Sequence, residues 1–240
     1  MRTHRVRALL MGGQACVFYG AAEFSRDTDF AILADAANLA RLRKALDELK
    51  AEVIAVPPFE LEYLRKGHAI HFRCRHPDAR RLRVDVMSKM RGVAPFERLW
   101  QRRTTIKLPD GTICHLLSLP DLVQAKKTQR DKDWPMLRRF LEAHWFQNQA
   151  HPTPAQVRFW FRELRTPELL FELAGRYPAA CRRASLQRPL LHHALARALP
   201  KMERALAAEE AAERERDRRY WAPLRRELEQ LRHAAKVCDV

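Results

Sequence analysis

The stretch GGQACVFYGAAEFSRDTDFAI, Gly12 to Ile32, decides how this chain is read. A diglycine follows the apolar run Val6–Met11, which reads as a buried strand, and a short helix is predicted over Gln14–Phe24. Two aspartates at i and i+2 then enter a second apolar run, Asp29–Leu33, predicted as the next strand. Alternate side chains of a strand share a face, so Asp27 and Asp29 point together while Phe30 and Ile32 point into a core. Two carboxylates held side by side repel unless a cation neutralises them. A hard divalent ion with oxygen ligands, Mg²⁺ or Mn²⁺, suits such a pair.

Outward from that stretch, the pattern alternates. Asn38 is read as the cap of a helix to Lys50 with Leu39, Leu42, Leu46 and Leu49 on one face. Glu52–Val56, His68–Cys74 and Leu82–Met87 read as strands, the last two paired through the turn at His76-Pro77-Asp78, and Phe59–Lys66 as a short helix. Thr105–Leu108 and Thr112–Leu116 flank Pro109-Asp110-Gly111, a hairpin signal. After Ser118 the chain reads as helices throughout, with Pro223 expected to break or restart the last one. The fold class expected is α/β (α+β), a mixed sheet flanked by helices with a helical C-terminal extension. The polar, proline-bearing Gln147–Pro154 is the candidate linker, dividing the chain into 1–148 and 149–240.

Bulk properties narrow the field. The 240 residues carry a net charge of +16, with 31% charged residues, and the basic excess is spread over both halves. That balance favours polyanionic partners, or is a solubility trait. Five widely spaced cysteines without a CxxC pair argue against a disulfide framework and a structural zinc site. The N-terminal MRTHRVRALLMGG is basic then apolar, but its apolar run of about five residues is too short for a secretory leader. No window approaches the roughly 20 apolar residues of a membrane span. A soluble, cytoplasmic protein with no membrane partner is expected.

A third carboxylate sits inside an apolar strand, at Asp85 in RLRVDVMS. It is costly there unless paired or metal-bound. It either joins the other two at a cation or forms an ion pair with Arg83 or Arg73.

Gly12, Gly13, Ala15, Gly20, Ser25, Asp27 and Asp29 together resemble the GG-x-A…G…R-x-T-x-D-x-D pattern of the nucleotidyltransferase superfamily, the polymerase-β-like fold. The likeness is greatest to bacterial AbiE-type toxin nucleotidyltransferases and their uncharacterised relatives. It covers roughly residues 5–145; Ser25 stands for the usual threonine and Glu23 for the usual arginine. The resemblance implies a nucleotide-binding transferase, such as an ATP-binding one, that moves a nucleoside monophosphate from an NTP to an acceptor. Asp27, Asp29 and Asp85 would be its metal ligands and catalytic residues, with Asp85 as base for the attacking hydroxyl. Gly12, Gly13 and Ser25 would cradle phosphate. The segment SLPDLVQAKKTQRDKDWPML resembles a further family feature, in which Lys126 and Arg130 would contact phosphate ahead of the Lys132-Asp133 pair. Acceptors implied are RNA, including tRNA, or a protein hydroxyl, and a toxin–antitoxin setting would add a cognate partner protein. The alternative is a non-catalytic module of the same fold that binds RNA or a partner protein.

Other features have plain readings. His68 and His71 are read as surface or packing residues on opposite faces of their strand, and the tryptophans as core. The run AAERERDRRYWAPLRRELEQLR is read as a solvated helical face laced by i, i+4 pairs.

Overall fold

A computed structural model describes residues 1–22 and 24–238, with the side chains of 236–238 left aside. The chain divides into two compact units: Met1–Phe18, Ala22–Ala125 and Arg219–Val240 form one, and Tyr19–Ala21 with Lys126–Arg218 the other. The predicted α/β class holds, with a mixed sheet flanked by helices and a helical C-terminal region.

The first unit runs β1 (Ala8–Met11), α1 (Gly12–Phe18), β2 (Asp27–Ile32), α2 (Ala36–Glu48), β3 (Ala51–Val53), α3 (Leu61–Lys66) and β4 (Ile70–Cys74). A 3₁₀ turn at Pro77–Ala79 leads into β5 (Arg83–Met87), α4 (Phe96–Gln101), β6 (Thr104–Lys107), β7 (Ile113–Leu116) and α5 (Leu119–Ala125). Seven strands form one sheet in the order β3-β4-β5-β2-β1-β7-β6. The β2–β5 and β1–β7 pairs are parallel and the other four antiparallel. Placing β5 beside β2, although α2, β3, α3 and β4 intervene in the chain, is the topological step that matters for the site.

Alternation separates the two faces of this sheet. Ile32, Ile70, Phe72, Cys74, Val84 and Val86 point to one side and pack with Leu39, Leu42, Ala45 and Leu46 of α2 in a single core. Burying an aliphatic side chain of this size stabilises by roughly 1.5–3 kcal/mol, so the register is strongly specified. The intervening residues Asp27, Asp29, His71, Arg73, Arg83 and Asp85 therefore occupy the opposite face.

Several local expectations are corrected. Asp35, not Asn38, caps α2, its carboxylate accepting from the Asn38 backbone N–H at 2.6 Å. Asn38 is instead fully buried, its Oδ1 accepting from Arg7 N (2.7 Å) and its Nδ2 donating to Arg7 O (3.0 Å) and Leu33 O (2.9 Å). The first helix stops at Phe18, well short of Phe24, because the chain turns at Gly20 with φ +75°; residue 23, within that expected helix, lies outside the described residues. The second strand starts two residues earlier than expected, at Asp27, where pairing with β5 begins. The third strand is Ala51–Val53, starting one residue before the expected Glu52 and ending short of Val56. The predicted hairpin is present, with Gly111 at φ +80° and the Asp110 carboxylate accepting from Thr112 N and Oγ1, both at 2.9 Å.

The second unit contains α6 (Asp133–Asn148), α7 (Pro154–Glu163), α8 (Pro167–Arg176), α9 (Pro178–Ser185), α10 (Leu191–Leu195) and the first half of α11 (Leu199–Cys238). Proline opens α7, α8 and α9, where its missing N–H costs nothing. Thr153 and Gln156 form a capping box at α7. The stretch Gln147–Pro154 joins α6 to α7 inside this unit, where Gln156 Nε2 donates to Asn148 Oδ1 at 3.0 Å. Trp145 and Trp160 meet edge to face at 4.7 Å in its core.

Pro223 does not break the last helix, which is continuous from Leu199 to Cys238. A mid-helix proline costs about 3 kcal/mol. On either side of it Arg214 and Arg216 pair with Glu210 and Glu213, and Glu227 is anchored by Lys66 and His68. The helix face is also less solvated than expected. Asp217 is buried and accepts from Gln129 N at 2.9 Å.

Candidate active site

The strand register brings the three aspartates of the sequence reading onto one face. Asp29 of β2 is the direct neighbour of Asp85 of β5, and Asp27 is the neighbour of Arg83. Parallel pairing puts Asp29 and Asp85 about 4.8 Å apart in the hydrogen-bonding direction, with Asp27 about 7 Å along β2. The carboxyl of Asp85 is thus on the same side of the sheet as the other two.

The diglycine bends against this face. Gly12 has φ +66°, and a Cβ built there would fall 1.8 Å from Asp29 Oδ2. A Cβ on Gly13 would fall 2.3 Å from Ser25 Oγ. Only glycine admits the close approach at both positions, and at Gly12 only glycine adopts the backbone without strain. The loop is pinned from the other side by Gln14 Nε2, which donates to Ser25 O at 2.8 Å, and Ser25 Oγ donates to Asp27 O at 3.2 Å. Gly12, Gly13, Ser25, Asp27 and Asp29 therefore form one compact corner.

The Asp85 side chain is enclosed, 14% exposed. Arg83 Nε donates to its Oδ1 at 3.0 Å, and His71 Nδ1 lies 2.9 Å from the same oxygen. Arg83 Nη2 also sits 3.1 Å from His71 Nδ1. Burial pushes the Asp85 carboxyl upward, but the bonds and charges of His71 and Arg83 outweigh it and hold the group below the ordinary carboxylate value. Arg83 is held above its ordinary value, first by its bond to Asp85, against desolvation, with the charges of Asp85, Asp27 and Asp29 adding to it. One guanidinium therefore bonds Asp85 and feels the charge of Asp27 and Asp29 as well.

The alternative of an Asp85–Arg83 ion pair is present in the structure, whereas Arg73 makes no bond to Asp85. His71 corrects the reading of it as a packing residue: it is the direct β4 neighbour of Asp85. His68 does not share β4 with it. It is 2% exposed ahead of that strand, with Nε2 2.9 Å from Glu227 Oε2.

Hard oxygen donors on one face suit Mg²⁺ or Mn²⁺ in chemistry. Both bonds to Asp85 fall on Oδ1, which leaves the carboxylate's second oxygen for a cation. Among the described residues no group of three or more His, Cys, Asp or Glu side chains is already gathered tightly enough to hold a metal ion. The oxygen donors fit the ion in chemistry, and Asp27, Asp29 and Asp85 are the residues that would hold it.

Lys126 and Arg130 belong to the second unit and serve a different carboxylate. Lys126 Nζ reaches Asp133 Oδ1 at 3.2 Å, Arg130 Nε donates to Asp133 Oδ2 at 2.7 Å, and Thr128 Oγ1 donates to Oδ2 at 2.5 Å. Asp133 is 1% exposed. Burial raises its carboxyl, and Lys126, Thr128 and Arg130 overcome that to hold it below the ordinary value. Lys127 is committed to Glu163 at 2.6 Å.

No family model matches this chain, and no curated protein sequence matches it. Among the described residues no helix is long and apolar enough to cross a membrane.

Proposed function

We propose that the chain is a Mg²⁺-dependent nucleotidyltransferase that moves a nucleoside monophosphate from an NTP to an acceptor hydroxyl on RNA, such as tRNA, or on a protein. The observation that supports this most is the in-register placement of Asp29 beside Asp85, with Asp27 on the same face and the Gly12 bend pressed against Asp29.

Asp27, Asp29 and Asp85 would hold the metal, which when bound supplies charge neutralisation for the triphosphate and the leaving pyrophosphate. Asp85, kept ionised by His71 and Arg83, accepts the proton of the acceptor hydroxyl. The hydroxyl oxygen bonds to the α-phosphorus, the α–β phosphoanhydride bond breaks, and pyrophosphate carries away the electron pair. Gly12 and Gly13, without side chains, let Asp29 and Ser25 close on the bend, whose backbone would cradle the triphosphate beside Asp29. Lys126 and Arg130 have no role in this reading, because Asp133 already holds both.

Incubation with each labelled NTP, Mg²⁺ and total cellular RNA or lysate tests the proposal. Label is expected in one acceptor class with the wild-type chain and in none with Asp29→Ala, whose fold circular dichroism would show intact. Equal labelling by the variant would end the proposal.

A second reading is favoured by the bonds that Arg83 and His71 already make to Asp85. In it the guanidinium replaces the metal for good, and the fold binds RNA or a partner protein, in a toxin–antitoxin pair for example, without catalysis. Calorimetry separates the two: the catalytic reading requires NTP binding that depends on Mg²⁺.

A further inference from the structure

Several arginines of this chain gather at one end of the sheet. Where β2 and β5 begin and β4 ends, the sequence places Arg26, Arg73, Arg75, Arg80, Arg81 and Arg83. Register lines up Glu52, Arg73, Arg83 and Asp27 as one row across four strands, on the face that also carries Asp29, Asp85 and His71 one row on. The rows are about 7 Å apart.

Two of these arginines have acidic partners: Arg83 holds Asp85, and Arg75 pairs with Glu52 at 2.6 Å. That leaves Arg73 without the carboxylate opposite it. Arg26, Arg73, Arg80 and Arg81 are exposed and form no ion pair with any described residue. Arg81 moreover holds φ +69°, an uncommon conformation for an arginine. Guanidiniums of like charge repel, and among the described residues these four are not neutralised by an ion pair, although the exposed Asp78 lies in the same turn as Arg80 and Arg81.

The segment that carries Arg26 also bears an unburied aromatic ring. Phe24, two residues before Arg26, is 72% exposed. Guanidiniums that suit phosphate oxygens bidentately, next to a ring free to stack, match a strand that carries both phosphates and bases. A base stacked on such a ring adds about 1–3 kcal/mol, which the guanidiniums alone do not supply.

We propose that this sheet end is a docking surface for single-stranded RNA, with Arg73, Arg80, Arg81 and Arg26 on the phosphodiester backbone and Phe24 under a base. The assignment of RNA as acceptor rests on the transferase reading; the binding surface itself does not.

The test is fluorescence anisotropy of the full chain with a labelled single-stranded RNA of about 16 nucleotides across a salt series. Four phosphate contacts predict a slope of log affinity against log salt of about −3. The triple variant R73E/R80E/R81E is expected to bind at least about tenfold more weakly, with the slope reduced by about 2. Phe24→Ala should weaken binding without changing the slope. A control with the same change in charge on exposed arginines of the second unit, R182E/R183E/R204E, should bind within about threefold of wild type. Equal loss in the control would show that net charge alone attracts RNA and would overturn the surface. An unaffected Phe24→Ala, with heparin bound as tightly as RNA, would overturn RNA as the ligand. Asp29→Ala should retain RNA binding, so a dead transferase and a failed docking surface are told apart.

Discussion

Gly12 and Asp29 occupy one another's space: the Asp29 carboxylate oxygen stands where the first side-chain carbon of any other residue at position 12 would be. The bend after β1 and the carboxylate of β2 are therefore a single packing unit, although 17 positions separate them in the chain. The rest of the corner follows from it, since Gly13 makes the same approach to Ser25.

Gly12→Ala should disturb both fold and site. The substitution forces alanine to φ +66° and drives Asp29 aside. A left-handed conformation costs an ordinary residue about 1–2 kcal/mol before the clash is counted. Urea unfolding should show a loss of about 2–3 kcal/mol, and calorimetry a loss of Mg²⁺–NTP binding. A variant that kept both would remove the argument for a required glycine.

Asn38→Leu tests the buried amide that ties α2 to the chain around β1. Its three hydrogen bonds to Arg7 and Leu33 would be lost in a fully buried place. Arg7 O keeps the Leu33 N–H, and the two backbone groups left orphaned, Arg7 N and Leu33 O, cost about 1–3 kcal/mol each, so a loss of about 2–6 kcal/mol is expected by urea titration. Asp35→Ala, which removes only the helix cap, should cost about 1 kcal/mol.

Asp133 should impose an acid limb on stability. Its folded carboxyl titrates below its ordinary value, so its contribution is fully present above about pH 4 and is lost as the pH falls through the folded value. Asp133→Asn should be clearly destabilised at pH 7, because Lys126 is left buried without its counter-charge. The gap from wild type should close as the pH is lowered below 4. A gap that stays constant with pH would show that Asp133 contributes as a hydrogen-bond acceptor only.

Glu227→Ala should loosen the end of α11. It removes the partner of the enclosed His68 ring and of Lys66. The Glu227 carboxyl is held below its ordinary value first by the Lys66 bond and then by His68. The loss should therefore be largest above about pH 4.5 and fade in acid. Proteolysis should cut the variant earlier than wild type within residues 219–238, and unchanged protection would exclude the anchor.

Much of this architecture was legible along the chain. Alternation in Val84, Asp85 and Val86 and in Ile70, His71 and Phe72 marks buried strands with one polar face. The i, i+2 spacing alone places Asp27 with Asp29. The prolines that open α7 to α9 and the Asp110-Gly111 turn state their own positions, because those geometries depend on one or two residues.

What pairing decides is of another kind. Which strand lies beside β2 is a long-range choice made by the burial of Val84, Val86, Ile70 and Phe72 against α2, and no local pattern encodes it. That choice made Asp85 a neighbour of Asp29, turned His71 from a packing residue into its partner, and set Arg73 and Arg83 in line with Asp27. Asn38 likewise serves contacts distant in sequence, its amide bonded to the Arg7 backbone, where local pattern alone suggested a cap. The amino-acid order by itself determined which groups carry charge and which face of each strand they share; only the folded sheet determined which of those charges meet, because side-chain periodicity is local and register is set by the burial of a common core.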